Sequence, residues 1–411
     1  MLKKIFVLLL LIFPINILAS NLTGVGVGNL YFDTLEEAIG VAKNGDVIKL
    51  FSDTTIEDTL LIDKDIIIDL NGNDIVSDNT LFTVNGGKLK IIGSGTLKEE
   101  KPNYGVIKVI GSNDSNDKEY SVVEISDGVI LDGWSGINIS HNNFKSYGVL
   151  INFGGKINAV NDINNDTGIG IYVNGNIQDR INHPVINILD GAVINSSGNG
   201  LYIAGDSTFN IGKASISGIE AGIGMKAGIL NINGASVECS GLDKTPTSGN
   251  NNGIKPSGTT IQLESNNGYA GDMEININGG NFTSKNSNVI YEYIGKGNDS
   301  LVKSINILDG TFISEKKDVF NFSNEFENMH SEFISGGIFS SNPDNYLKSG
   351  YKSSMIDNMY NVTSSVLKEV GLFSNGSLEN SSFLEIAGVF FAILMIGGIL
   401  YINRRKILKL F

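Results

Sequence analysis

Apolar residues recur at every second position in short runs along this chain, and the runs end on glycine. The phrase INILDG stands at 186–191 and again at 305–310, with the relatives ININGG at 275–280 and LNINGA at 230–235. A period of two predicts β-strands with one buried face, and the Asp-Gly, Asn-Gly and Gly-Gly steps that follow predict tight turns. A second short strand comes after the turn, as in AVINSSGNGLYIAG after Gly191. The repeating unit is therefore strand, glycine turn, strand, polar turn, strand. Its turn glycines, Gly128, Gly155, Gly191, Gly212, Gly234, Gly280, Gly310 and Gly337, lie 21 to 46 residues apart, so the variable part of each unit falls in loops.

A single unit of this kind cannot bury its apolar face; stacked units can. Leucine-rich repeats are excluded by the absence of an L-x-x-L-x-L-x-x-N series, and propeller blades by their four strands per unit. The pattern predicts an all-β fold, a right-handed parallel β-helix (solenoid) with Ile, Val, Leu and Phe inside and Asn, Ser, Thr and Lys outside. About ten to thirteen coils at 4.8 Å per strand would stack to roughly 50–60 Å.

One segment has a helical period instead. Thr34 and Glu37 form an S/T-x-x-E capping box, Leu35, Ala38, Ile39 and Ala42 share a face, and Asn44-Gly45 is a stop signal. Residues 34–44 are expected to form a helix that caps the first coil. At the two extremes the pattern changes again. Residues 1–20 carry Lys3 and Lys4, an apolar run and then Ala19 and Ser20, the features of a secretory signal peptide. Uncharged residues run from Ile386 to Ile402, followed by Arg404, Arg405, Lys406 and Lys409. This predicts a transmembrane helix at 383–403, a cytoplasmic tail at 404–411, a juxtamembrane linker at 366–382 and an ectodomain at 31–365 on the outer side of the membrane.

The succession TLEEAIGVAKNGDVIKL, LLIDKDIIIDLNGNDI and LFTVNGGKLKIIGSGTL resembles the opening of pectin-lyase-like β-helix domains in surface proteins of Gram-positive-type bacteria. ISGGIFSSNPDNYLKSGYKSSMIDNMYNV at 334–362 is similar to their closing segment. The resemblance implies the parallel β-helix fold and a place at the cell surface, with adhesion or glycan contact the expected role. A polysaccharide lyase or glycoside hydrolase is the alternative, and a structural surface-layer component the third. Relatives with a sortase signal carry LPxTG or NPxTG before the membrane segment. NGSLENSS at 375–382 lacks it, so single-pass membrane anchoring is expected.

Composition narrows the partners. With 30 Lys and Arg against 44 Asp and Glu, the formal net charge is −14, and the basic residues at the two ends make the remainder more acidic still. Nucleic acid is not expected as a partner, since phosphate binding needs a basic face. Glycans or host and cell-surface proteins are. Cys239 is the only cysteine, so no intrachain disulfide forms, and it reads as a packed residue.

Candidate chemistry is sparse. Between 21 and 382 the only arginine is Arg180, and the histidines are His141, His183 and His330. Arg180 and His183, with Asp162 and Asp166 upstream, form the one basic-acidic group, and a Ca²⁺ ion is the only cofactor such oxygens suggest. No family motif matches them, a polar loop is the plainer role, and no catalytic residue is assigned. For ligand contact, Trp134, Tyr291 and Tyr293 are the candidates, because an exposed aromatic face stacks on a sugar ring, with packing within the solenoid the plainer role of each. The Asn-rich loop 241–260 is the other.

Overall fold

The structure is a computed structural model that describes residues 24–101, 105–160, 167–177, 179–244, 257–265, 269, 271–294 and 302–365. The signal peptide, linker, transmembrane helix and tail expected from the sequence lie outside the described residues, as do NGSLENSS, Asp162 and Asp166. Among the described residues no helix is long and apolar enough to cross a membrane. The elements lie in one compact unit that ends at Ser364.

Each coil contributes three strands. In the coil that contains the first INILDG these are Val185–Ile188, Val193–Ser196 and Asn199–Ile203. The third strands stack into an all-parallel sheet of ten, from Leu60–Ile62 to Phe320–Asn321, in coil order. First and second strands form two further parallel ladders. These belong to one 23-stranded sheet because Met273–Ser284 and Val302–Ser314 run through both. Here the expectation of a turn fails. ININGG and the second INILDG do not end a strand but bulge within it, with register shifts at Ile277/Asn278 and Asn278/Asn281. By contrast the first INILDG turns sharply, with Gly191 at φ +85°.

The apolar phase of the phrase is as expected. Ile151, Ile186, Phe209 and Leu230 follow one another through the first-strand ladder, and Phe153, Ile188, Ile211 and Ile232 do so two residues on. Ile305 and Ile307 continue the two columns opposite Ile275 and Ile277. All are buried, and each such side chain contributes about 1.5–3 kcal/mol relative to exposure.

Outside, the asparagine between these positions forms a ladder of its own. Asn187 donates from Nδ2 to Asn152 Oδ1, Asn210 to Asn187, Asn231 to Asn210 and Asn276 to Asn231, each at 2.9 Å, and Asn306 donates to Asn276 at 3.3 Å.

The corner between second and third strands is tight, and glycine makes it possible. A Cβ on Gly136 would stand 2.6 Å from Ile157 Cδ1, one on Gly200 2.6 Å from Ile216 Cγ2, and one on Gly222 2.8 Å from Val237 Cγ1. GIG at 168–170 belongs to the same series, with Gly170 packed against Ile194.

Antiparallel strands extend the large sheet at both ends of the stack, one way in which a sheet edge is protected. At the start, Val25–Val27 pairs antiparallel with Asp46–Leu50, and the helix Leu35–Val41 buries Leu35, Ala38 and Ile39. Thr34 caps it by accepting from Glu37 N at 3.2 Å. The helix is shorter than 34–44 because Ala42 is already extended, and Lys64 Nζ takes up the carbonyls of Ile39 and Ala42 at 2.8 and 3.0 Å. At the other end the hairpin Tyr351–Ile356 and Met359–Ser364 pairs antiparallel with Gly337–Phe339. Phe320, Phe322, Phe326, Phe333, Phe339 and Tyr346 pack on one another near this end, Phe326 from a second short helix, Asn324–Met329, which the sequence pattern did not suggest.

Candidate functional site

The outer face of the ten-stranded sheet collects the chemistry. Along it Asn138, Tyr172, Tyr202, Gly224, Gln262 and Tyr291 follow one another in register, and Glu264 faces Tyr293 in the neighbouring column. Tyr172 and Tyr202 stack with ring centres 5.3 Å apart and planes 4° from parallel. Tyr202 forms an apolar cluster outside the main core with Ile169, Ala204 and Ala221, against which Trp134, Tyr172 and Tyr269 pack.

Beside it lies an ion pair that water does not reach. Lys226 Nζ is 3.4 Å from Glu264 Oε1, with side chains 0% and 1% exposed. The same ammonium sits 4.2 Å from the centre of the Tyr269 ring and 5.5 Å from that of Tyr202. Cation–π contact of this kind strengthens when desolvated. Burial pushes the Tyr172 phenol up to about 12 and raises Tyr202 as well, reinforced by the neighbouring Tyr269.

Of the three aromatic residues singled out from the sequence, Tyr291 and Tyr293 lie on this sheet and Trp134 immediately precedes its strand Ser135–Ser140. Trp134 is half-buried against the cluster, its backbone N–H donating to Glu99 Oε2 at 3.3 Å, so it packs rather than presenting a free ring. Tyr291 and Tyr293 stand on one strand with ring centres 6.5 Å apart and a 34° tilt, both partly open to solvent. Partial burial raises both phenols, and Glu264 adds to the effect at Tyr293. Asp243 lies nearby, held by Lys317 at 2.9 Å and by the Ser287 hydroxyl at 2.8 Å.

Sequence reasoning missed Tyr172, Tyr202, Tyr269, Lys226 and Glu264. A signal existed for the first two: aligning GIYV with GLYI on their glycines puts both tyrosines at one position. Lys226 and Glu264 escape such alignment because the insertion at 241–258 separates their coils.

Arg180 is held by its neighbours. The guanidinium donates through Nε to Asp206 Oδ1 at 3.2 Å, through Nη1 to Glu274 and through Nη2 to the Asp272 carbonyl at 2.6 Å. It is thus committed to ion pairs that tie successive coils together. His183 Nε2 meets Thr208 Oγ1 at 2.7 Å, and burial with Arg180 close by pulls the imidazole down to about 4. Asp179 is held down to about 2, chiefly by the Tyr147 hydroxyl and then by Ile181 N–H. Among the described residues no group of three or more His, Cys, Asp or Glu converges as a metal site. Cys239 is buried and its thiol is pushed up to about 11, the state of a packed rather than a reactive cysteine.

Of the loop 241–260, the base is closed by Gly258 N–H donating to Glu220 O at 3.0 Å, and Leu242 is exposed. Residues 259 and 260 already belong to the strand Thr259–Ser265, and 245–256 lie outside the described residues. No protein-family model, no curated protein and no solved structure matches the chain.

Proposed function

We propose that this chain is a membrane-anchored bacterial cell-surface protein, a right-handed β-helix of the pectin-lyase-like kind, that binds a glycan or another host-surface ligand at the Tyr291–Tyr293 end of its ten-stranded sheet. The observation that carries the reading is the Tyr291–Tyr293 pair, two tilted rings on one strand, both partly open to solvent. A sugar ring stacks on such faces. The signal peptide and the apolar run before a basic tail would hold that face outside the cell.

The test is a glycan array probed with the full chain, alongside a Tyr291→Ala/Tyr293→Ala variant. Binding by the parent that the variant loses is the expected result. A blank array with retained binding to whole cells would move the ligand from glycan to protein. Protease added to intact cells should remove the β-helix and spare the tail; covalent attachment to peptidoglycan would contradict the membrane anchor.

A further inference from the structure

We propose that the ligand of the Tyr291–Tyr293 pair carries an ammonium group, and that the glycan selected there is one built from amino sugars with free amines. This rests on the reading of the pair as a glycan contact and adds the charge that the contact selects. The two rings stand on one strand, 6.5 Å apart and tilted by 34°, both partly open to solvent. Their faces are electron-rich, and a cation placed over such a face is attracted to it.

The surroundings of the pair are acidic. Burial raises the Tyr291 phenol most, and Tyr293, Asp243, Glu292 and Glu264 all push it the same way. Burial and then Glu264, in register on the preceding coil, raise Tyr293. Two of these carboxylates hold a cation of their own, Glu264 with Lys226 at 3.4 Å and Asp243 with Lys317 at 2.9 Å. Glu292 does not. It lies between the tyrosines on the inward side of the strand, in register with the core residue Leu263, and is 6% exposed. Its Oε2 accepts from the Ser323 backbone N–H at 3.0 Å and from the Ser323 hydroxyl, and among the described residues no lysine or arginine pairs with it. That carboxylate leaves negative charge beneath the two rings, where burial weakens screening by salt.

The same sheet already uses two tyrosines in this way. Lys226 places its ammonium 4.2 Å from the centre of the Tyr269 ring and 5.5 Å from that of Tyr202. Tyr291 and Tyr293 offer a second pair of rings, and among the described residues no lysine or arginine lies over either. An ammonium entering there gains both the ring faces and the carboxylate field. An anionic glycan meets that field as repulsion, added to the formal net charge of −14 on the chain. An amino sugar supplies a ring to stack and an ammonium at once, whereas a lysine side chain supplies only the second.

The experiment titrates the full chain calorimetrically with two oligosaccharides matched in length, one of glucosamine and one of N-acetylglucosamine, at about pH 6, where a free amine is charged. The glucosamine oligomer is expected to bind about tenfold more tightly, the size of one ammonium–aromatic contact partly withdrawn from water. Tyr291→Phe/Tyr293→Phe keeps the ring faces and should keep the preference. Tyr291→Leu/Tyr293→Leu leaves every charge in place and should abolish it. Should the leucine variant not fold, Glu292→Gln carries the test: it retains an acceptor for Ser323, removes the charge and should weaken the glucosamine oligomer alone. Equal affinity of the parent for both oligomers, with both bound, would overturn the ammonium while leaving the glycan reading intact. A preference that survives the leucine variant or Glu292→Gln would trace to the acidic surface at large and overturn it too. A lysine oligopeptide of equal charge that binds as tightly would contradict an amino-sugar ligand. Binding of neither oligomer overturns this inference, and the glycan array then decides separately whether the glycan reading falls with it.

Discussion

Ile186 and Ile305, the first letters of two identical phrases, occupy the same column of the first-strand ladder, joined in register through Phe209, Leu230 and Ile275. The repeat is thus a spatial one. The same inward position is refilled coil after coil, with the other strands of each coil and loops of varied length between the phrases.

Strand phase follows from that column. Ile307→Asp would bury an unpaired carboxylate and is expected to cost several kcal/mol. Asn306→Asp keeps the contact with Lys348 and loses one donor, a change of about 1 kcal/mol. Urea midpoints of the two variants compare them, and equal midpoints would contradict the assigned phase.

Corner glycines give a second test. At Gly136 the three atoms closest to an added Cβ all belong to Ile157. Gly136→Ala is expected to destabilise by about 1–3 kcal/mol through overpacking. Adding Ile157→Val should recover part of that loss, although the same change alone is destabilising. Strictly additive thermal shifts would show that the corner is not limited by this contact.

These two cases show what the sequence makes legible. The phase of Ile186 and Ile305 is readable because a period of two admits one inward set. The corner glycines are readable only once SGINI, IGIYV, NGLYI and AGIGM are aligned by fold rather than by spacing. The bulge at Gly279 and Gly280 is not, since the same letters turn sharply at Gly191. Pairing of Lys226 with Glu264, and of Arg180 with Asp206 and Glu274, depends on which coils the loops bring together. Trp134, Tyr291 and Tyr293 were legible as aromatics that either pack or stay open; which of them does which depends on the coils around them.

Arg180 is expected to matter for stability. Arg180→Ala leaves the buried Asp206 carboxyl without its guanidinium, a loss on the order of 3 kcal/mol. Glycan binding should be unchanged by it. Turnover of a polysaccharide by the parent chain, abolished in Arg180→Ala, would replace the adhesive reading with an enzymatic one.

His183 predicts part of the acid response. Its folded-state value of about 4 lies below the ordinary 6.5. Between those limits the unfolded chain takes up a proton that the folded chain refuses, so its contribution to stability is complete above pH 6.5 and is lost as pH falls toward 4. His183→Gln should flatten the fall in denaturant midpoint within that window. An unchanged slope would mean that His183 is equally basic in both states.

The Tyr291–Tyr293 end of the ten-stranded sheet as the binding surface is tested most directly by titrating an array-selected glycan against two variants of the full chain. Tyr291→Ala/Tyr293→Ala removes the open rings, and Asn231→Ser alters the ladder face instead. At least a tenfold weaker affinity for the first, with the second unchanged, is the predicted result; undiminished affinity in the tyrosine variant would contradict the assignment.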